Sequence, residues 1–228
     1  MEPAIISLIA ASITFVGSHF VLSHPLRAAL VGLLGEAGFQ ILYSIVATGA
    51  LVWMYLAFVA IDAPRPLLPW GFDNAAWFAA SLLTLAAMVL LAGSLSLRNP
   101  ALATPKAELA ARNAPVGVFS VTRHPMMWGF ALVGVAHILA TPTERTVIVA
   151  LAIILLALVG AHLQDRKKLV LMGEAWAEWQ RRTTFRPRLA GIAMIAPGTW
   201  LVGIALWFGL SWLHLPLGGV PAGIWRWI

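Results

Sequence analysis

Six histidines are distributed through a chain otherwise built for lipid, and five fall inside or at the rim of long apolar segments. His19 and His24 stand at the end of the first segment, His124 opens the fourth, His137 lies within it and His162 closes the fifth. An ionisable side chain at such depth is expensive, which makes it a functional candidate by default. Imidazole is also a common metal ligand. Several in one small bundle therefore point to a metal or a metal-bearing cofactor. The chain has no cysteine. Disulfides, iron–sulfur clusters, covalently attached c-type haem and thiolate ligation are excluded on that ground.

The local patterns differ in what they offer. In Gly17-Ser18-His19-Phe20-Val21-Leu22-Ser23-His24-Pro25, His19 lies about two turns before Arg27 and has no interface to reach within one turn. His24, before Pro25, reads as a cap near water. In Thr122-Arg123-His124-Pro125, Pro125 suits a first helical position with His124 as the cap. Backbone N–H groups, a guanidinium and an imidazole then converge on a place for an anion. A basic anchor followed by a helix start explains the same four residues, and the sequence leaves both open. His137 has no polar neighbour in sequence. It sits on nearly the opposite helix face from His124 and roughly 20 Å further along the axis, so these two cannot share one metal. A hydrogen bond to a neighbouring helix is the plain alternative for it. His162 lies next to Gln164 and Asp165 and is placed to pair with Asp165. His214, at the far end of the last span, reads as interfacial.

Two histidines that bind one iron must come from different helices and meet across a flat macrocycle, as helix bundles arrange around haem. Propionates then need cations near water, and Arg27 and Arg123 lie at the correct end. A lone zinc ion fits less well, because it would want more polar or charged ligands gathered at one depth.

The elements that must position these groups follow from composition. Hydrophobic residues make up 61% of the 228 and charged residues 11%, with mean hydropathy +0.87. A soluble domain carries about 25% charged residues, so the deficit places the chain in a membrane. A span needs about 20 apolar residues. Six segments meet that test, near 4–23, 38–61, 75–97, 126–140, 145–163 and 197–214, the fourth being short. The expectation is an all-α polytopic bundle of six transmembrane helices, a single domain over 1–228, with short interfacial helices. One of these runs from Pro25 to Leu34. A second, amphipathic one covers 165–182, with Leu169, Met172, Trp176 and Trp179 on one face, a break at Gly173 and a Glu178–Arg182 pair.

Of the fifteen lysines and arginines, all but Arg65, Arg145 and Arg226 fall on one face when the spans alternate. The positive-inside rule puts that face in the cytoplasm and both termini outside. The net charge of +6 is thus spent on orientation, and nucleic acid is not an expected partner. Trp70, Trp77, Trp212, Trp225 and Trp227 fit an aromatic belt at the outer interface. Met1-Glu2-Pro3 lacks the basic start of a cleavable signal.

The combination GSHFVLSHPLR (17–27), Gly35-Glu36, TRHPMMWGF (122–130), Ala136-His137 and DRKKLVLMGEAWAEWQRRTTFRP (165–187) resembles the NnrU family of bacterial membrane proteins, relatives of the plant zeta-carotene isomerase. The resemblance implies six helices in a bacterial inner membrane. In the isomerase branch, haem b is held by two histidines, which fall here on His19 and His137. His124 and His162 match histidines near the active site. That branch has a cysteine where this chain has Gly134, so a thiolate redox switch is not available. NnrU proteins are linked to nitrite and nitric oxide reduction. A second, C-terminal similarity is to isoprenylcysteine and phospholipid methyltransferases. There an Arg-His-Pro motif and a later acidic pair help bind S-adenosylmethionine; Arg123-His124-Pro125 and Asp165-Arg166 stand in those places.

The leading expectation is a haem-b membrane protein acting as an isomerase or redox component on an apolar or gaseous substrate. His19 and His137 would ligate iron, Arg27, Arg123, His24 and Asp165 would hold the cofactor, and His124 and His162 would act on substrate. The alternatives are a methyltransferase using S-adenosylmethionine and a non-enzymatic partner of a respiratory complex. Depth leaves the iron pairing open. His137 lies deeper than His19 by about 9 Å, whereas His19 or His24 with His124 would match better.

Overall fold

The computed structural model describes residues 2–70, 73–96, 99–102 and 104–228. Regular structure among them is helical, apart from one isolated bridge between Pro66 and Thr143. In a bilayer the backbone must satisfy itself within each segment, which is why apolar runs of this length become helices.

The spans are α1 (Pro3–Ser23), α2 (Arg27–Val59), α3 (Asn74–Ser94), and, after the short α4 (Ala107–Arg112), α5 (Pro125–Ala140) and α6 (Glu144–Met172). Then come the surface helix α7 (Glu174–Arg182), the last span α8 (Pro197–Trp212) and the short α9 (His214–Gly218). Five helices are long and apolar enough to cross a membrane, counting α8 together with α9, and α5 is a shorter apolar one. The chain is a multi-pass membrane protein with the expected spans. Starts are marked by local chemistry: Pro3, Pro125 and Pro197 in first turns, and Asp73 accepting from the Ala76 N–H at 2.6 Å.

The principal packing runs α2–α1–α6–α5–α3–α8. Thus α6 has α1 on one side and α5 on the other. Close approach along α5 depends on missing side chains. A Cβ on Gly134 would stand 2.7 Å from Ile154 Cγ1 and 3.0 Å from the Ala150 carbonyl of α6. Small residues at such crossings let helix backbones pack without a side chain between them. At the end opposite most of the basic residues, Arg145 donates to the Ile61 carbonyl at 2.6 Å and lies over the Phe58 ring. Arg65 pairs with Glu144 at 3.2 Å.

Three expectations need correction. The first interfacial helix begins at Arg27, with Pro25 in the preceding turn, and it does end at a bend at Gly35 within α2. The stretch 165–172 is no surface helix: it continues α6 beyond its apolar part, because nothing interrupts helical hydrogen bonding before Gly173. That glycine turns the chain at φ +52°, and only α7 lies across the end. Its tryptophans are fully buried rather than laid on lipid. Trp176 and Trp179 pack with Ala111, Val118 and Phe119 in a core at the basic end. Trp77 is likewise no belt residue. It is 6% exposed, packed against Ala80, Ala136 and Ala140, with the Arg226 guanidinium over its ring. Trp70, Trp212 and Trp227 are exposed, as a belt requires. Arg98, counted with the basic face, lies outside the described residues.

Candidate functional site

The densest polar cluster forms where α5 starts beside the extension of α6. Arg123 ends the loop before α5 and His124 occupies its N-cap position. Asp165 stands on the facing side of α6. Its carboxylate accepts from Arg123 Nε at 3.0 and 2.9 Å and from Arg123 Nη2 at 2.5 Å. It also accepts from His124 Nε2 at 2.9 Å. The guanidinium and imidazole read from Thr122-Arg123-His124-Pro125 do converge on an anion, the chain's own Asp165, through their side chains. His124 does not cap α5 with its side chain, and it is His124 rather than His162 that pairs with Asp165.

Burial makes the pairing strong. The His124 side chain is wholly buried, and those of Arg123 and Asp165 are 13% and 8% exposed. Charges in such a setting persist only when paired and hydrogen-bonded. Nε2 donates to the carboxylate, and Nδ1 has no partner among the described residues. A carboxylate–imidazole pair of this kind orients a histidine for proton transfer.

A short strap holds the cluster from outside. Residues 184–188 run beside 121–123: the Arg123 N–H donates to the Thr184 carbonyl at 2.8 Å and the Arg188 N–H to the Val121 carbonyl at 2.9 Å. Thr122 Oγ1 and Trp128 Nε1 both donate to the Phe185 carbonyl, at 2.7 and 2.8 Å. The Phe185 ring meets His124 edge-on at 5.5 Å and lies under the Arg123 guanidinium at 5.3 Å. Phe185 was not among the expected site residues. Its signal was the TTFRP run after α7, whose role only the strap reveals.

Next to the cluster lies a cavity of about 400 Å³, lined by Arg123, His162, Asp165, Arg166, Gln180 and Phe185 among others. His162 and Arg166 are exposed on it. Further out, Lys168 donates to the Pro100 and Leu102 carbonyls at 3.0 and 3.2 Å. Arg182 pairs with Glu178 at 3.7 Å, as expected, and donates to the carbonyls of Ala111, Arg112 and Asn113 at the end of α4. These cations tie the loops of the basic end to α6 and α7.

The remaining candidates lie elsewhere. Arg27 pairs with Glu36 at 2.6 Å. His24 is the C-cap of α1, its backbone N–H donating to the Phe20 carbonyl. Burial and the nearby Lys167 cation push its imidazole below the ordinary histidine range. His19 faces Phe15 and Tyr43, with Nδ1 at 2.6 Å from the Phe15 carbonyl. His137 holds Nδ1 at 2.7 Å from the Val133 carbonyl and stands beside His214. The structure thus joins Arg123, His124 and Asp165, with His162 nearby. It does not bring the rings of His19 and His137 into contact. No group of three or more metal-ligating side chains occurs among the described residues.

Compared with known proteins, the chain gives no match to a curated protein or to a solved structure. The family profile described as NnrU protein matches residues 7–222. The chain belongs to that family.

Proposed function

We propose that this member of the NnrU family binds haem b within the membrane and uses it on an apolar or gaseous substrate, as an isomerase or redox component. What supports this reading is the state of the intramembrane imidazoles. A carbonyl oxygen can only accept, so Nδ1 must carry the proton in both His19 and His137. In the neutral ring the lone pair then falls on Nε2. Metal-ligating histidines are held in this way by a hydrogen bond at the other nitrogen. His19 and His137 are the residues proposed to hold the haem iron; as seated here they face different neighbours, Tyr43 and His214, so ligation by both requires their helices to shift. When bound, haem would supply a redox-capable Lewis-acidic iron in an apolar surround.

The cations expected for propionates are less free. Arg27 already holds Glu36 and Arg123 already holds Asp165, so a propionate on either would displace a carboxylate. Arg166, exposed on the cavity rim, makes no ion pair among the described residues. His124, oriented by Asp165, is the chain's candidate for moving a proton, and His162 faces the same cavity. In this reading the basic end is cytoplasmic, by the positive-inside rule. The absorption spectrum of protein expressed with ample haem tests the proposal. A Soret band with a low-spin bis-imidazole pattern is expected, and its absence overturns the reading. Replacing His19 and His137 together with alanine should abolish haem content. Wild-type content in that variant would mean other ligands.

A second reading, methyl transfer from S-adenosylmethionine, is favoured by one observation: Arg123, His124 and the acidic residue of α6 meet beside an open cavity. The C-terminal similarity to membrane methyltransferases would use that place for the cofactor. Calorimetric titration with S-adenosylmethionine separates the two, since only this reading expects saturable binding, weakened in Arg166→Ala on the exposed rim of the same cavity. A protein with neither haem nor this binding would be left with a non-enzymatic role beside a respiratory complex.

A further inference from the structure

We propose that the elbow between α1 and α2 binds one acidic phospholipid, with the lipid phosphate on Lys167 of α6. Helices α1 and α6 pack together and both run toward the basic end. A Cβ on Gly160 would lie 3.9 Å from the Phe20 ring of α1. Lys167 stands two turns beyond Gly160 on the same helix face, about 10 Å further along. It therefore comes level with the elbow, where His24 follows α1 and Arg27 starts α2. The elbow has a defined shape. Gly35 breaks α2 at φ +70°, and Arg27 reaches Glu36 at 2.6 Å. In a straight helix nine residues would separate that pair by about 13 Å along the axis.

Charge at the elbow does not balance. Glu36 is engaged by Arg27, and Asp165 by Arg123 and His124. Lys167 is half-buried, yet its ammonium makes no hydrogen bond or ion pair among the described residues. Burial first, and the Arg27 cation second, push that ammonium below the ordinary lysine range, with Glu36 pulling the other way. A half-buried cation beside a second one calls for an anion from outside the chain. The elbow lies where the apolar parts of α1 and α6 end, at the depth of lipid headgroups. Basic pockets between membrane helices hold acidic headgroups in this way. Leu26, Leu33 and Leu34 are exposed on the elbow and its half-helix, an apolar edge for the acyl chains. A zwitterionic lipid fits less well, because its ammonium would add a further cation to Arg27 and Lys167.

The site uses neither proposed iron ligand and none of the residues named on the cavity beside Arg123. Native mass spectrometry of the purified protein in detergent tests it, by titration with phosphatidylglycerol, phosphatidylcholine or inorganic phosphate. One phosphatidylglycerol per chain is expected, held more tightly than phosphatidylcholine and not displaced by inorganic phosphate. Lys167→Gln should weaken its retention about fivefold, the share of one cation near a membrane surface. Glu36→Gln, which removes the competing carboxylate, should tighten it. Arg188→Gln removes an exposed cation from the same end of the bundle and should leave retention unchanged. Lys167 has no ion pair to lose, so its replacement keeps the fold, as circular dichroism checks. Equal retention of the two lipids, displacement by phosphate, weaker retention in Glu36→Gln, or equal losses in Arg188→Gln and Lys167→Gln would overturn the proposal.

Discussion

His124 and His137 stand at opposite ends of the same helix, and their surroundings differ in kind. At the basic end His124 is wholly buried and bonded to a carboxylate that also holds an arginine. At the far end His137 is half-buried, bonded only to its own helix, with a second imidazole beside it. The first histidine is committed to holding α5 against α6. The second retains an unused lone pair. Depth in an apolar segment makes both costly, yet only one of them is spent on structure, so the cost alone does not say which histidine is available for a ligand.

The largest expected effect comes from breaking the committed end. Asp165→Ala leaves Arg123 and His124 buried without their counter-charge. It should destabilise the protein by about 3–5 kcal/mol, seen as a large fall in thermal unfolding temperature in detergent and in yield. An intact, equally stable variant would show that the cluster is not structural. A smaller effect is expected midway along α5. Gly134→Cys, which restores the residue of the isomerase branch, forces a Cβ against Ile154 and the Ala150 carbonyl. Overpacking of this kind costs about 1–3 kcal/mol, and unfolding midpoints of the two proteins measure it. The smallest effect belongs to the uncommitted end. In metal-free and haem-free protein His137→Ala should cost less than about 1 kcal/mol, the scale of a hydrogen bond within the membrane. If it proves as damaging as Asp165→Ala, the contrast between the two ends is false.

Much of the site was legible in part. Pro125 at a first helical position, with His124 before it, could be read from the tetrapeptide, because a proline lacks the donor that a first turn does not need. That an anion would sit there was also legible from Arg123 and His124. Its identity was not, since Asp165 lies 42 residues away from Arg123 and equally invited pairing with its neighbour His162. Gly173 announced a break, but whether 165–172 belonged to the span or to the surface depended on how far α6 projects past the bilayer. Trp77 and Trp176 show the same limit. Trp77, near a span end, suited a belt, and Trp176 suited the apolar face of a surface helix, while packing against α5 in one case and the 117–121 segment in the other buried them.

From its order of residues alone this chain is committed to being a bundle of membrane helices. Lipid offers no partner to a free backbone group, so apolar runs, prolines and caps suffice to set where helices begin and end. Which ionisable groups meet is decided only in three dimensions. Rotation and depth of each helix, set by contacts such as Gly134 against α6, brought Asp165 to Arg123 and His124 and laid His214 beside His137. A local pattern carries no record of those angles, because they arise from how many side chains pack at once.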